Sequence, residues 1–288
     1  MEHLQWFDEV DLSDSVMVVA FSGWNDAADA ATEAARYLAR RYDARPIAAI
    51  DPEAFYDFAS ARPSIRLVGE ERRELDWPRS QFLLAELENG RPLIILIGIE
   101  PRLLWRTFSE SVTTAAKRLG VNTVVTLGAL LTETHHEQPI DVVGASNNER
   151  ISAELDLTPS TYEGPTGIIG VLNDACHQEG LDSLSFWAPV PSYLGQSPSP
   201  KAALAIVKKV ADFLGLSLDA TDLQIASASY DRQVTELLES DQELAAYAEQ
   251  LREELADDDN FVDEVTELED NPEALIDELE QFLRQQDD

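Results

Sequence analysis

The stretch Ser15–Leu38, SVMVVAFSGWNDAADAATEAARYL, decides the fold class of this chain. An apolar run, Val16–Phe21, stops at Ser22-Gly23, and alanines then recur at helical spacing up to Leu38. This pattern predicts a β-strand, a tight turn and the N-terminus of an α-helix. In open α/β sheets, ligands bind beyond the carboxyl ends of strands, where helix N-termini present free N–H groups. The turn therefore lies where an α/β protein would place its chemistry.

Apolar runs and helical patterns alternate from this stretch to about residue 216. The further predicted strands are Ala44–Asp51, Ser64–Val68, Gln81–Leu87, Pro92–Ile99, Val121–Leu131, Ile140–Ala145 and Leu181–Val190. The further predicted helices are Leu103–Leu119, which Glu100-Pro101 opens, Asn147–Leu155, Ile168–His177 and Lys201–Leu214. This order predicts an α/β fold in which a three-layer, mostly parallel sheet carries helices on both faces.

Some of these runs also indicate their place in the sheet. The polar alternation of Ser64–Val68 suggests an edge strand. Gln81–Leu87 and Pro92–Ile99 are separated by Asn89-Gly90, which predicts a hairpin or a tight pair of strands. Val121–Leu131 is almost continuously apolar, which is typical of a central strand covered on both faces.

Acidity is the strongest compositional signal. The 288 residues carry a formal net charge of −34. The segment Asp222–Asp288 holds 23 acidic and three basic residues, a net charge of −20, and the other 221 residues carry −14. Such a surface repels duplex DNA and anionic membranes, so we exclude both as main partners. Solubility or salt tolerance is an ordinary alternative explanation of the charge.

The apolar period changes after residue 220. Val234–Leu255 follows a 3-4 spacing that Asp257-Asp258-Asp259 interrupts, and shorter amphipathic patterns lie on both sides of Asn271-Pro272. We therefore divide the chain into an α/β domain, residues 1–220, and an acidic helical extension, residues 221–288. Because isolated short helices are marginal, these apolar stripes must pack on each other, on the α/β domain or on a partner. A homo-oligomer, possibly a trimer, is one such arrangement.

Cysteine usage and hydropathy bear on the compartment. Cys176 is the single cysteine, which excludes a disulfide within the chain, and its apolar helical setting predicts a buried, inert thiol. Met1–Val10 is acidic and lacks the apolar core of a signal peptide. No apolar run approaches the roughly 20 residues that a membrane helix needs. We expect a cytoplasmic protein that requires no cofactor.

Ser22–Asp26 is the first candidate site. The motifs GxGxxG, GxxxxGK[ST], GxSxG and HExxH are all absent from the sequence. Ser22 and Asn25 could bind a polar ligand, and Asp26 could act as a base. Alternatively, Gly23 permits the turn, Asn25 or Asp26 caps the helix, and Trp24 packs over the end of the sheet. Capping alone contributes about 1 kcal/mol and would account for these residue types.

Thr132–Pro139, TETHHEQP, is the second candidate because it follows the predicted central strand. His135, His136 and Glu137 could form an acid–base pair or bind a metal. Neighbouring residues on an extended backbone point in different directions, however, and a third ligand is missing. A polar loop is the alternative, and we predict no metal site.

Tyr162–Gly167, YEGPTG, is the third candidate. Glu163, Gly164 and Thr166 lie in a glycine loop before a predicted helix, a geometry that suits anions. Such loops also serve packing, and the sequence leaves both interpretations open.

Several sequence blocks occur together in a fixed order. They are FSGWNDAADAA, GIEPRLLW, VVTLGALLTETHHEQP, YEGPTGIIGVL and FWAPVPSYLGQSPSPKAAL. Over roughly residues 1–220 the chain resembles the actinobacterial-type branch of the proteasome assembly chaperone 2 family, and its acidic tail resembles that branch's C-terminal extension. The resemblance implies a three-layer α/β sheet of the phosphorylase/hydrolase-like type.

The resemblance also implies a function, with two departures. Eukaryotic and archaeal members of this family help proteasome α-rings assemble, docking partly through a C-terminal hydrophobic-Tyr-any tripeptide. This sequence reads Gln286-Asp287-Asp288 at that place, without the tyrosine. The family's loop after the central strand often carries an arginine, where His136–Pro139 has none. Both differences weaken the corresponding contacts.

Two functions of different classes follow. The first is a non-enzymatic, assembly-chaperone-like module that binds a protein partner. The second is an enzyme or small-ligand binder that uses the crevice at the strand ends. The second hypothesis requires a set of polar side chains to converge around one pocket. These are Ser22, Asn25, Asp26, His135, Glu163 and Thr166.

Overall fold

The computed structural model describes residues 3–69, 72–157 and 162–269, with side chains described up to Leu255 in the last helix. The strands are β1 (Leu4–Trp6), β2 (Ser15–Ser22), β3 (Arg45–Ile50), β4 (Ser64–Val68), β5 (Arg72–Asp76), β6 (Ser80–Glu86), β7 (Pro92–Ile99), β8 (Val121–Thr132), β9 (Val143–Ser146) and β10 (Asp182–Pro191). The helices are α1 (Ala30–Arg41), α2 (Trp105–Arg118), α3 (Glu149–Glu154), α4 (Ile168–Gln178), α5 (Pro200–Leu214), α6 (Thr221–Ser240) and α7 (Gln242–Glu269). Short 3-10 turns cover Ala27–Asp29 and Ser192–Leu194.

An eight-stranded sheet forms the centre, in the order β1-β3-β6-β7-β2-β8-β10-β9. The four inner strands β7, β2, β8 and β10 pair in parallel, whereas every flanking pair is antiparallel. The sheet is therefore mixed, and the predicted parallel pairing applies to its centre. The hairpin at Asn89-Gly90 gives one reason, because a short loop between β6 and β7 can join antiparallel strands only.

Helices cover both faces of the sheet. The core on one face includes residues of α1 and α5, and the core on the other includes residues of α2 and α4. β2 contributes Val16, Val18 and Ala20 to the first core and Met17 and Val19 to the second. This burial on both faces explains the unbroken apolar run with which the strand begins.

Ser64–Val68 forms a strand, as predicted, but it is not an edge strand of the main sheet. β4 pairs with β5 in a separate two-stranded ribbon, and all five residues of β4 are exposed. A strand exposed on both faces produces the same polar alternation as a half-buried edge strand, so the pattern could not distinguish them. The polar strand β5 and the three-residue strand β1 were not predicted, because neither contains an apolar run.

The helical extension packs on the sheet domain. Val234 and Tyr230 of α6 pack on Leu194, and Tyr247 of α7 lies 5.9 Å from Tyr193, centroid to centroid. The predicted interruption at 257–259 is wrong, since α7 continues through it. Three aspartates cost less than about 0.7 kcal/mol each in helix propensity, which does not force an end.

The predicted helix after Asn271-Pro272 lies outside the described residues, and the division into domains at residue 220 stays a prediction. Among the helices that the structure describes, none has the length and apolar character to cross a membrane.

Candidate functional site

Because of the turn after β2, helix α1 begins at a later residue than the sequence predicts. Gly23 has a φ of +140°, and a Cβ there would lie 3.0 Å from the Cβ of Glu100. Ala28 and Asp29 both adopt the left-handed conformation, with φ of 52° and 53°. The predicted helical alanines from Ala27 therefore begin with a 3-10 turn, and α1 itself begins at Ala30.

The side chain of Asp26 accepts hydrogen bonds from the N-terminal turn of α1. Its Oδ1 accepts hydrogen bonds from the backbone N–H of Ala31 at 2.7 Å and Thr32 at 3.2 Å, and its Oδ2 accepts one from Thr32 Oγ1 at 2.5 Å. Burial raises the pKa of the Asp26 carboxyl, and these hydrogen bonds oppose the rise. Its oxygens are occupied by the helix, so the capping interpretation accounts for this residue better than a catalytic base does.

Glu100 joins three segments at the carboxyl edge of the sheet. Its Oε1 accepts from Asn25 Nδ2 and from the backbone N–H of Ile168, both at 3.0 Å. Its Oε2 accepts from the backbone N–H of Trp24 at 3.3 Å, and its own N–H donates to the carbonyl of Ser22 at 2.8 Å. One carboxylate therefore connects the ends of β2 and β7 to the start of α4.

Gly167 allows α4 to approach this carboxylate. A Cβ at Gly167 would lie only 2.2 Å from Asn25 Nδ2. Asn25 is 3% exposed, and its carbonyl accepts from the N–H of Ala129 at 2.8 Å, which fixes it to β8. We call Asn25, Glu100 and Gly167 the interlock. The side chains of Asn25 and Glu100 are hydrogen-bonded to each other at the sheet edge where the second hypothesis requires a ligand.

The rest of the glycine loop faces outward. Glu163, Gly164 and Thr166 are exposed, and the Thr166 hydroxyl lies over Gly170 in the first turn of α4. Glu100 already accepts a hydrogen bond from the N–H of Ile168. A bound anion would therefore have to compete with this carboxylate at the N-terminus of α4.

His135 belongs to a different cluster. It is 6% exposed, and its Nδ1 accepts from the N–H of Glu137 at 3.3 Å. His136 Nδ1 lies 2.8 Å from the hydroxyl of Tyr193, and Lys201 Nζ donates to the carbonyl of His136 at 2.5 Å. Burial lowers the pKa of both histidines.

The cavity beside these histidines measures about 10 Å³, close to the space that one water molecule needs. Within the described ranges, no hydrogen bond joins His135 to Ser22–Asp26 or to Glu163–Thr166. The described residues also include no group of three His, Cys, Asp or Glu side chains placed to hold a metal ion. The hydrogen bonds of the described residues thus do not join the predicted constellation into one site.

Large exposed apolar side chains lie on the segments that adjoin the interlock. We call this set the rim, and it consists of Trp24, Leu103, Leu104, Leu130 and Leu131, each at least 40% exposed. The expectation that Trp24 packs over the end of the sheet is wrong, since its side chain is 67% exposed. Asn25 and Glu100 already occupy that space, so the indole is left facing solvent.

Comparison with known proteins identifies the family to which this geometry belongs. The model of the PAC2 family matches residues 20–238, three quarters of the chain. The chain belongs to the PAC2 family. The part of this PAC2 chain that matches includes the interlock, the rim and most of α6.

Solved structures agree with this assignment. A PAC2 family protein from Streptomyces avermitilis is 38% identical, with a TM-score of 0.75 over 81% of this chain and 99% of that chain. A proteasome-assembly chaperone homologue from Mycobacterium tuberculosis is 41% identical, with a TM-score of 0.73 over 81% and 99%. PbaB from Pyrococcus furiosus, an archaeal proteasome activator, is 17% identical, with a TM-score of 0.66 over 82% and 99%, and so shares the fold. No curated protein is a significant match to the chain.

Sequence reasoning missed two members of the PAC2 interlock. Glu100 was assigned only to the start of a helix, and Gly167 only to the glycine loop of the third candidate, without a contact to Asn25. One signal for Glu100 was present, because an acidic residue follows directly on a strand, Pro92–Ile99, that lies beside β2 in the sheet. Nothing comparable marks Gly167, since its importance depends on the proximity of Asn25.

Proposed function

We propose that this PAC2 chain is a non-enzymatic protein-interaction protein that acts in proteasome assembly. One observation carries the proposal. The edge of the sheet where an α/β enzyme keeps its chemistry is bridged by the hydrogen bonds of the interlock, and exposed apolar side chains lie on the adjoining segments. Clustered exposed apolar side chains are typical of a protein-binding surface.

The hydrogen bonds of the polar groups support a structural role for them. Asp26 accepts three hydrogen bonds from α1, and Glu100 accepts three from the surrounding backbone and Asn25. A general base needs an oxygen or nitrogen within reach of a substrate proton. Here the oxygens of both carboxylates accept hydrogen bonds from the protein itself, and His135 lies near Glu249 and Arg252 of α7.

The partner class rests on family membership. The similar Mycobacterium tuberculosis protein is a proteasome-assembly chaperone homologue, at 41% identity over most of both chains. We infer that this chain binds subunits of a proteasome-type particle through the rim. Leucine and tryptophan side chains on a mostly acidic body suit an apolar patch with basic surroundings on that partner.

Capture of the host's own proteasome α-subunits by the purified chain tests this proposal. A double substitution in the rim, Trp24→Ser with Leu104→Ser, should weaken capture by about 2 kcal/mol or more, in the range of interface hot spots. Val143→Ser is the matched control, because Val143 is 56% exposed on the edge strand β9 and lies outside the rim. Absence of capture, or equal losses in both variants, would contradict the proposal.

The alternative, a small-ligand binder, receives less support. Two cavities beside α5 have volumes of about 10 Å³ and about 410 Å³, and neither is lined by Ser22–Asp26 or Glu163–Thr166. A ligand at 100 times its dissociation constant would add about 2.7 kcal/mol to stability. We expect no metabolite in a thermal-shift panel to reach that value, and one that did so, but not in an Asn25→Ala variant, would favour the alternative.

A further inference from the structure

The ribbon β4–β5 exposes an apolar face. Ile65 lies opposite Leu75 across the two strands, and Leu67 lies opposite Arg73. The three apolar side chains are 65%, 54% and 62% exposed for Ile65, Leu75 and Leu67. We call them the ribbon face. Within the described chain, neither strand has extensive contacts with any other helix or strand.

Little within the chain stabilises this ribbon. A lone two-stranded hairpin is marginally stable at best in water. Arg66 and Arg72 both contact Glu74, at 2.8 and 2.6 Å, but exposed ion pairs of this kind contribute little. At the base, Trp77 packs edge-on against Phe58, at 4.9 Å between centroids. The exposed apolar face therefore indicates a surface that another molecule covers.

The charge of the ribbon points to the nature of that molecule. Residues 62–79 contain five arginines and four acidic residues, a net charge of +1. The other 270 residues contain 16 basic and 51 acidic residues, a net charge of −35. Arg72 is 76% exposed, and no ion pair within the described residues engages Arg73. The ribbon thus combines an apolar face with positive charge on an otherwise acidic molecule.

A complementary surface exists on the same chain. On α6, Ile225 is 64% exposed and Leu237 is 42% exposed. The helix contains four acidic residues and a single base, and no ion pair within the described part of the chain engages Glu236 or Glu239. α6 therefore combines exposed apolar side chains with unpaired carboxylates, the counterpart of the ribbon.

We propose that the ribbon of one copy docks on α6 of a second copy, with the ribbon face and Arg73, which lies opposite Leu67 on that face, against Glu236 and Glu239. The contact joins two different surfaces, so it is head-to-tail and can close into a ring. Copies of a chain with a net charge of −34 repel one another, and the ribbon supplies the opposite charge that association requires. This self-association is separate from the partner binding proposed above, which uses the rim.

Sedimentation of the purified full chain tests the inference without any partner. We expect an oligomer at about 0.1 M salt that dissociates toward monomer near 1 M, because the screening length falls from about 10 Å to about 3 Å. Arg73→Glu should raise the dissociation constant about tenfold or more at low salt, and Glu236→Arg with Glu239→Arg should do the same. The three substitutions in one chain reverse both surfaces and should restore the oligomer.

Two controls keep the result interpretable. Arg106→Glu changes an exposed arginine on α2 and should leave the mass unchanged. Ile65→Thr with Leu75→Thr retains strand propensity, removes the apolar face and should dissociate the oligomer, with circular dichroism confirming that the sheet is intact. A monomer at every concentration, an oligomer that is unaffected by all ribbon variants, or failure of the threefold variant to reassociate would overturn the inference.

Discussion

At the residue scale, Glu100 decides whether the carboxyl edge of the sheet is a site or a packed junction. It brings together groups that lie 75 and 68 positions away in the sequence, Asn25 and Ile168. Hydrogen bonds to a charged acceptor are stronger than neutral ones, and they leave unsatisfied donors when the acceptor is removed. We therefore expect the Glu100 carboxylate to contribute to the stability of the fold and not to catalysis.

Replacing Glu100 by alanine should lower the free energy of unfolding by about 2 kcal/mol, because three N–H donors lose their acceptor. Glu100→Gln keeps one acceptor oxygen and should cost about half as much. Urea denaturation measures both values. Equal stability of the alanine variant and the wild type would show that water replaces the carboxylate without cost.

Gly167→Ala should cost about 1–3 kcal/mol, since the new methyl group would lie 2.2 Å from Asn25 Nδ2. Asn25→Ala removes that obstacle, so the two substitutions together should cost less than the sum of their separate effects. A double-mutant cycle measures this coupling. Strictly additive losses would mean that α4 does not approach the turn as closely as the geometry indicates.

At the element scale, α7 covers the loop after β8 and places His135 in a buried setting. Burial lowers the pKa of His135 and His136 below the ordinary 6.5, and Glu137 opposes the change for both. For His135, Glu249 also raises the pKa, whereas Lys201 and Arg252 lower it further. Protonation of these two histidines is thus linked to how closely α7 packs on the loop.

Stability should fall as the pH drops through 6.5 toward the lower pKa of the folded state. In that window the unfolded chain binds protons that the folded histidines do not, which favours unfolding. Urea denaturation at about pH 7.5 and about pH 5.5 should show the loss, and His135→Gln should reduce it. His177→Gln, at an exposed position near the end of α4, is the matched control for the effect of a His-to-Gln substitution.

The order of the strands and helices could be predicted from the periodicity of apolar residues alone, because most of these elements pack on the core. Val121–Leu131 was correctly predicted as an inner strand, and the Asn89-Gly90 hairpin is confirmed. Exposed elements were not predicted, because a strand such as β5 buries no apolar side chains that would produce a periodic pattern in the sequence. The site was predicted only in part, because the meeting of Glu100 with Gly167 depends on strand order, which local sequence does not encode.

At the scale of the whole molecule, the helical extension completes a surface that the sheet domain leaves open. Tyr230 and Val234 are buried against Leu194, and Ala248 and Leu251 of α7 are buried as well. The extension is therefore a packed layer of the described structure, while its outward side carries the acidic residues.

A chain that ends after Leu216 should lose solubility or change its oligomeric state, because Leu194 and the loop at His135 become uncovered. A chain that ends after Glu269 keeps the described helices and is the matched control. Sedimentation of both gives the comparison. An unchanged profile for the shorter chain would show that neither α6 nor α7 contributes to assembly.

The interlock also has a consequence for the order of folding. Its partners come from three regions of the chain, so it cannot form until β2, β7 and α4 have all taken their places. Contacts of such high sequence separation carry a large loop-closure entropy and form late. The amide hydrogen of Ile168, donated to Glu100, should thus exchange with solvent only when the edge opens as a unit, and its exchange rate would report that opening directly.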